Sequence, residues 1–336
     1  MTGNSGLDRH RSAAAVCVIG LLLCLCLPCG RGYGQSASRR NGAAAPVGPA
    51  PSAPAFLQAL PADPLSIMAA DPAGWRRAEF EVYRWKSLPE ILIFDTASHA
   101  VQSALFKRLA FYVEKSGYTG RPSSFAALAD KHGYTGHNYR ARDLARFFDA
   151  VPASGLLPEE RLLREVLLAN GVIGYRARRH HPGAGGIISI SRSSSPALRR
   201  LLLVHELSHG VFTADARYRE GVGRLWSELS SAERRFWSLF LYGRDYNVRD
   251  ITLVVNEFQA HLLQQPLTEV NAYFGRQIRL LARSYPSYAP FLTMFEDRYG
   301  GSFAAAAARL ERLLAAPLSE GGESFYTVRA RIFESR

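Results

Sequence analysis

After Cys29 the sequence holds no cysteine, so everything beyond that point lacks disulfides, a thiol nucleophile and a Cys-ligated metal. Lysine is nearly as scarce: of the 41 basic residues 37 are Arg and four are Lys. Long apolar runs are also missing, apart from one of fifteen residues at positions 13–27. That run is right for the hydrophobic region of an export signal and short for a bilayer span. Nothing after it is long and apolar enough to cross a membrane. The net charge is +12 with a pI near 9.8. Such a balance often marks a nucleic-acid or anionic-lipid partner. Here the Arg residues are dispersed, many beside Asp or Glu, and no stripe of Arg interleaved with aromatics exists, so a nucleic-acid partner is not expected. A preference of Arg over Lys follows from GC-rich coding without any partner.

Arg9, His10 and Arg11 precede the apolar run, and small residues surround Gly34 and Ala37. Residues 1–34 therefore read as a signal peptide, and the protein as exported, periplasmic or extracellular. Lipidation at Cys29 is the alternative and would tether the chain to a membrane. The residue before Cys29 is Pro28, where a lipoprotein signal places a small residue. Residues 35–58 are rich in Ala, Pro, Gly and Ser, cannot build a core, and read as a disordered linker.

One segment carries chemistry. Residues 205–209 are His205-Glu206-Leu207-Ser208-His209, an HExxH. On a helix, i and i+4 lie on one face one turn apart, so both imidazoles can grip one Zn²⁺ while the adjacent carboxylate serves as general base. Ser195-Pro196 looks like an N-cap followed by Pro at the first helical position. Leu201-Leu202-Leu203-Val204 and Gly210-Val211 flank the two His with uncharged residues. A helix buried that deeply must satisfy three polar groups, and a metal does so; an exposed helix with incidental polar residues would not carry these flanks.

On these residues the chain resembles the zincin metallopeptidases. The resemblance covers the HExxH helix, its flanks, and the stretch 185–191, which looks like a strand entering that helix and which zincins use as an edge strand lining the cleft. It implies hydrolysis of a peptide or protein substrate, with Zn²⁺ held by His205, His209 and a third protein ligand. Three residues compete for that place. Glu257 sits in an apolar stretch from Ile251 to Leu263 where a carboxylate needs a partner. Asn256-Glu257 with Ala260 is similar to the ligand helix of gluzincins. Glu228 follows His209 after eighteen intervening residues, a spacing of some gluzincin aminopeptidases, but stands just before an apparent capping box, Ser230 to Glu233. Asp215 falls where metzincins place their last ligand, but Phe212 stands where they need Gly.

One departure concerns His261, which occupies the position where thermolysin-like gluzincins place an Asp that steadies a ligand His. His261 lies one turn from Glu257, so it either faces the site as a donor or oxyanion stabiliser, or packs as an ordinary helix histidine. Tyr246, before the ligand helix, offers a phenol that could polarise a scissile carbonyl.

Elsewhere the expectations are coarser. Residues 59–170 read as a mostly helical amino-terminal region, with a buried strand at 90–95 and helices at 97–116, 123–131, 142–150 and 158–168. Residues 171–336 read as the zincin-like catalytic region. In it, residues 176–181 form a solvated hairpin tip between strands at 172–175 and 187–191, with His180 and His181 as a weak second metal site. Helical spacing runs through 215–229, 231–242, 249–265, 267–284, 287–298 and 302–315. The expected fold is α+β and mostly helical: a small mixed lobe ending in the HExxH helix, then an all-helical lobe. The expected function is an exported zinc-dependent metallopeptidase using Glu206, Tyr246 and His261 around His205, His209 and Glu257. A non-catalytic envelope protein or lipoprotein on a zincin scaffold is the alternative.

Overall fold

Period-2 alternation in two short strands decides how the molecule is layered. A computed structural model describes residues 54–131, 133–319 and 322–335. The signal peptide and nearly all of the linker lie outside these residues. At the linker's end the expectation needs correcting: residues 55–57 form a 3-10 turn with Leu57 buried, so packed structure begins before residue 59.

The elements in chain order are β1 (Leu60–Ala62), α1 (Pro64–Ala69), β2 (Phe80–Trp85), β3 (Ile91–Thr96), α2 (His99–Val113), β4 (His137–Arg140), α3 (Ala141–Ala150) and α4 (Pro158–Ala169). There follow β5 (Ile173–Arg176), β6 (Arg179–Pro182), β7 (Gly186–Ser191), α5 (Pro196–Ala214), α6 (Ala216–Glu228), α7 (Ser231–Tyr242) and α8 (Ile251–Leu263). The chain closes with α9 (Val270–Ser284), α10 (Ala289–Tyr299), α11 (Ser302–Leu313) and α12 (Phe325–Glu334). The described chain is thus α+β, with twelve α-helices and a mixed five-stranded sheet in the order β1-β2-β3-β7-β4.

Strand β3 runs parallel to β7 and antiparallel to β2. Its side chains alternate between two cores, as successive residues of a strand must. Ile91 and Ile93, with Ile188 and Ile190 of β7, join the core built by α5 and the helices after it. Leu92 and Phe94, with Ile187, join a second core containing residues of α2, α3 and α4. The sheet is buried on both faces, which is why β3 reads as a continuous apolar run from Ile91 to Phe94 rather than an alternating one.

Helix α5 begins where expected. The Ser195 hydroxyl accepts from the Leu198 amide and Pro196 occupies the first turn. The α5 helix lies against the sheet at Gly210, where a Cβ would meet Ile91 at 3.3 Å and Trp85 at 3.6 Å. The Asp250 carboxylate caps α8 by accepting from the Thr252 and Leu253 amides. Arg329 of α12 donates to the carbonyls of Leu263 and Gln265 at its other end and pairs with Glu311. Both ends of α8 are therefore held, and its 13 residues lie fixed against α5.

Several expectations fail. The region 59–170 supplies four of the five strands of the sheet, so it is mixed rather than mostly helical. Residues 123–131 form only a 3-10 turn at Ala126–Leu128. Strand β5 pairs with β6, not with β7. The hairpin tip is the two-residue turn Ala177-Arg178, both at positive φ, and His180 and His181 lie within β6. The strand before α5 is interior: β7 lies between β3 and β4, and the edge strand is β4, antiparallel to β7. A strand bordered by two neighbours has no free ladder, so only β4 could pair with an extended peptide on this side.

Candidate metal centre

Helix periodicity places His205, Glu206 and His209 on α5, and tertiary packing brings α8 across them with Glu257 and His261. The Nε2 atoms of His205 and His209 stand 3.1 Å apart. Glu257 presents Oε2 at 3.6 Å from His205 Nε2 and Oε1 at 3.5 Å from His209 Nε2. Nitrogen and oxygen donors about 2.0–2.1 Å from a tetrahedral ion are spaced at about 3.3 Å. The three observed separations are close to that spacing, the two to Glu257 being made by its two different oxygens, and the three residues are placed to share one small cation. His205, His209 and Glu257 are also the group of potential metal donors that the described residues bring together.

The other two contenders for third ligand are elsewhere. Asp215 caps α6, its carboxylate accepting from the Tyr218 amide. Glu228 sits at the exposed end of α6 and pairs with Arg309. His180 faces Asp149 at 2.8 Å, and no second donor cluster forms around it among the described residues.

Protonation suits ligation. Burial drives the His209 imidazole down to about 4. Burial also pushes His261 well below the ordinary histidine range, with His205 and Arg244 adding to it. Burial alone would raise the Glu257 carboxyl, but His209, His205 and the Tyr246 phenol outweigh it and hold it low. A neutral His209 imidazole beside an ionised Glu257 carboxylate suits metal ligation. Several polar atoms here are orphaned: Nδ1 of His205 and His209, Oε2 of Glu206 and of Glu257, and both ring nitrogens of His261 have no hydrogen-bond partner. Buried orphans of this kind are costly and call for an occupant.

Glu206 is only 3 % exposed. Burial first, then the charges of Glu257 and Glu114, push its carboxyl well above the ordinary range. Against it lies Gly136, just before β4, where a Cβ would fall 2.2 Å from Glu206 Oε1. His261 faces the site: its ring is 4.7 Å from that of His205, and its Nε2 is 3.7 Å from Glu257 Oε2. Phe240 meets the ring edge-on.

Tyr246 is brought to Glu257 by a backbone contact far apart in sequence. Lys115 and Tyr246 form an antiparallel bridge, in which the Ser116 amide donates to Asp245 O and the Asn247 amide to Glu114 O. The Tyr246 ring stacks on Tyr134 at 5.1 Å, and the Lys115 ammonium lies 3.7 Å over the Tyr134 face. Burial, then Glu257, raise the Tyr246 phenol well above its ordinary value, so it remains a proton donor.

Sequence reading missed Gly136, which touches Glu206, Tyr134, which stacks on Tyr246, and Glu114, His137 and Tyr139 further out. Burial and then Glu114 raise the Tyr139 phenol well above its usual range. The one available signal was the tetrapeptide Gly-Tyr-Thr-Gly, which occurs at 117–120 and again at 133–136. Beside the centre opens a cleft whose lining includes Glu114, Asn138 and Arg140 of β4, Asp143, Phe212 and Asn256. No protein-family model, no curated protein and no solved structure matches this chain.

Proposed function

We propose that this chain is a zinc-dependent metallopeptidase with a gluzincin-like arrangement, in which His205, His209 and Glu257 hold Zn²⁺. The convergence of the three donors, at separations of 3.1, 3.5 and 3.6 Å, is the observation that carries this reading. When bound, zinc supplies a Lewis acid that polarises the scissile carbonyl and acidifies water to a pKa of about 7.

The chain's own residues do the rest. Glu206 accepts a proton from the attacking water as its oxygen bonds to the carbonyl carbon, and delivers that proton to the nitrogen as the C–N bond breaks. Tyr246 offers an O–H and His261 an N–H donor for the charge that develops on the carbonyl oxygen. Strand β4 offers its free edge to an extended substrate, as edge strands do in peptide recognition. The export signal read in residues 1–34 assigns the activity to the periplasm or beyond, with a lipid anchor as the variant.

Depth of burial favours the second reading, a non-catalytic envelope protein on the same scaffold: Glu206 and Glu257 are 3 % and 1 % exposed. Metal content and hydrolysis separate the two. The full-length protein should hold one zinc per chain and cleave casein or a peptide library. Glu206→Gln should keep the zinc and lose turnover. Zinc without any hydrolysis would favour the scaffold reading, and no zinc after reconstitution would refute the metal centre itself.

A further inference from the structure

The buried carboxylates of this protein are nearly all accounted for. Asp95 is gripped by Arg199 and Arg192, Glu160 by Arg108 at 2.8 Å, Asp143 by Arg140 at 2.8 Å, and Glu81 by Arg76. Glu206 and Glu257 belong to the metal centre. Glu114 remains. It is 4 % exposed, yet among the described residues its carboxylate makes no hydrogen bond or ion pair; only its backbone oxygen is used, by the Asn247 amide. Its oxygens are not among the fully enclosed orphans, so they meet the solvent of the cleft; a carboxylate left with so little water and no protein partner favours an incoming one.

Its position says what that partner meets. Glu114 closes α2 and lines the cleft that also holds Asn138 and Arg140 of β4 and Asn256, the neighbour of Glu257. We propose that Glu114 anchors a cationic group of the substrate, an ammonium or a guanidinium, in the cleft beside the metal centre. This rests on the metallopeptidase reading for the word substrate, and it narrows that reading to peptides carrying a positive charge close to the scissile bond.

Charge at the site supports it. Burial, followed by the Glu257 charge, holds the Glu114 carboxyl well above its ordinary value, and the nearby Lys115 and Arg140 do not offset this. With Glu257 engaged by zinc, an arriving cation would compensate Glu114. Arg142 and Arg146 also line the cleft, but on its solvated side, since both are exposed. An exposed Arg is screened by water, whereas a desolvated carboxylate gains far more from a partner. The cleft therefore favours a cation over an acidic group.

Binding can be measured without turnover by working with zinc-loaded, full-length Glu206→Gln protein in a calorimeter. The probes are tetra-alanine amide with a free or acetylated amino terminus, and acetyl-Ala-Lys-Ala-amide against its norleucine counterpart. At least one cationic probe should bind about tenfold or more tightly than its neutral match, as a desolvated charge pair does. Which pair shows the ratio tells an amino-terminal ammonium from a side-chain cation. Adding Glu114→Gln should bring that ratio close to one with zinc content unchanged, and Glu114→Asp should retain part of it. Equal binding of charged and neutral probes, a ratio that survives Glu114→Gln, or no binding at all would overturn the proposal. Peptide cleavage by wild type is scored separately. Turnover without charge preference removes only the Glu114 anchor. Charge-selective binding without turnover removes only the peptidase reading.

Discussion

If Glu206 is the general base proposed above, replacing Gly136 by Ala should cost turnover and leave zinc content unchanged. The added Cβ would sit 2.2 Å from Glu206 Oε1, 2.9 Å from Cδ and 3.2 Å from Cγ. Carbon and its neighbours rest comfortably only at about 3.5 Å, so the carboxylate must retreat by roughly 1 Å. The φ angle of Gly136 is not positive, so alanine brings no backbone strain, and the collision is the whole effect. A misplacement of about 1 Å costs on the order of 10²-fold in turnover. Overpacking a buried site costs about 1–3 kcal/mol, which a domain of ordinary stability survives. The three atoms nearest the new methyl all belong to Glu206, so zinc content should stay at wild type. The assay is kcat on a peptide that wild type cleaves, with zinc per chain and the melting temperature measured on the same preparations and Glu206→Gln alongside. A folded, zinc-loaded Gly136→Ala protein with wild-type kcat would refute the claim that Glu206 works from the place it occupies beside Gly136.

Three further outcomes follow from the same geometry. Glu257→Ala should lose zinc, while Glu228→Ala and Asp215→Ala should keep one per chain, since those carboxylates pair with Arg309 and cap α6; metal analysis after dialysis decides it. Tyr246→Phe should retain zinc and lower kcat by about 10²–10³-fold if its phenol serves the carbonyl oxygen, the usual cost of one such donor; a change confined to KM would place Tyr246 in binding instead. His137, which shares a 2.9 Å hydrogen bond with the Tyr139 hydroxyl, is driven by burial from 6.5 down to about 3. The unfolded chain therefore takes a proton below about pH 6.5 that the folded chain refuses until near 3. Stability should fall as pH drops through that window, by about 1.4 kcal/mol per unit for this one proton. In urea melts across the window, His137→Phe should flatten the slope by about one proton, and an unchanged slope would show that His137 is not buried neutral.

Much of the centre was written within single helices. His205, Glu206 and His209 come together through the 3.6-residue period alone, and Ser195 and Pro196 start their helix by satisfying its own first amides. Glu257 was legible because a carboxylate in the apolar run 251–263 has to be met by something, and the start of α7 was marked by the reciprocal capping of Ser230 and Glu233, whereas Asp215, weighed as a ligand, caps α6. These signals are local: the atoms that decide them lie within four residues of one another.

What lay beyond reach was long-range. Strand β2 alternates too little to be seen as a strand, because both of its faces are covered. The four residues of β4 acquire their meaning only by pairing with β7 some fifty positions later. His261 had two readings on its own helix, and only the approach of α5 to α8 put its ring 4.7 Å from His205. Glu114, Tyr134 and Gly136 carry no recognisable spacing to the HExxH. A backbone bridge from Lys115 to Tyr246 and the turn into β4 bring them there. The sequence by itself determined the donors on α5 and the helix that would meet them, since helical periodicity and capping are properties of neighbours. The tertiary structure decided which carboxylate lies beside the two imidazoles, which strand forms the edge, and what surrounds Glu206, since those depend on pairings between segments whose separate sequences hold no record of each other.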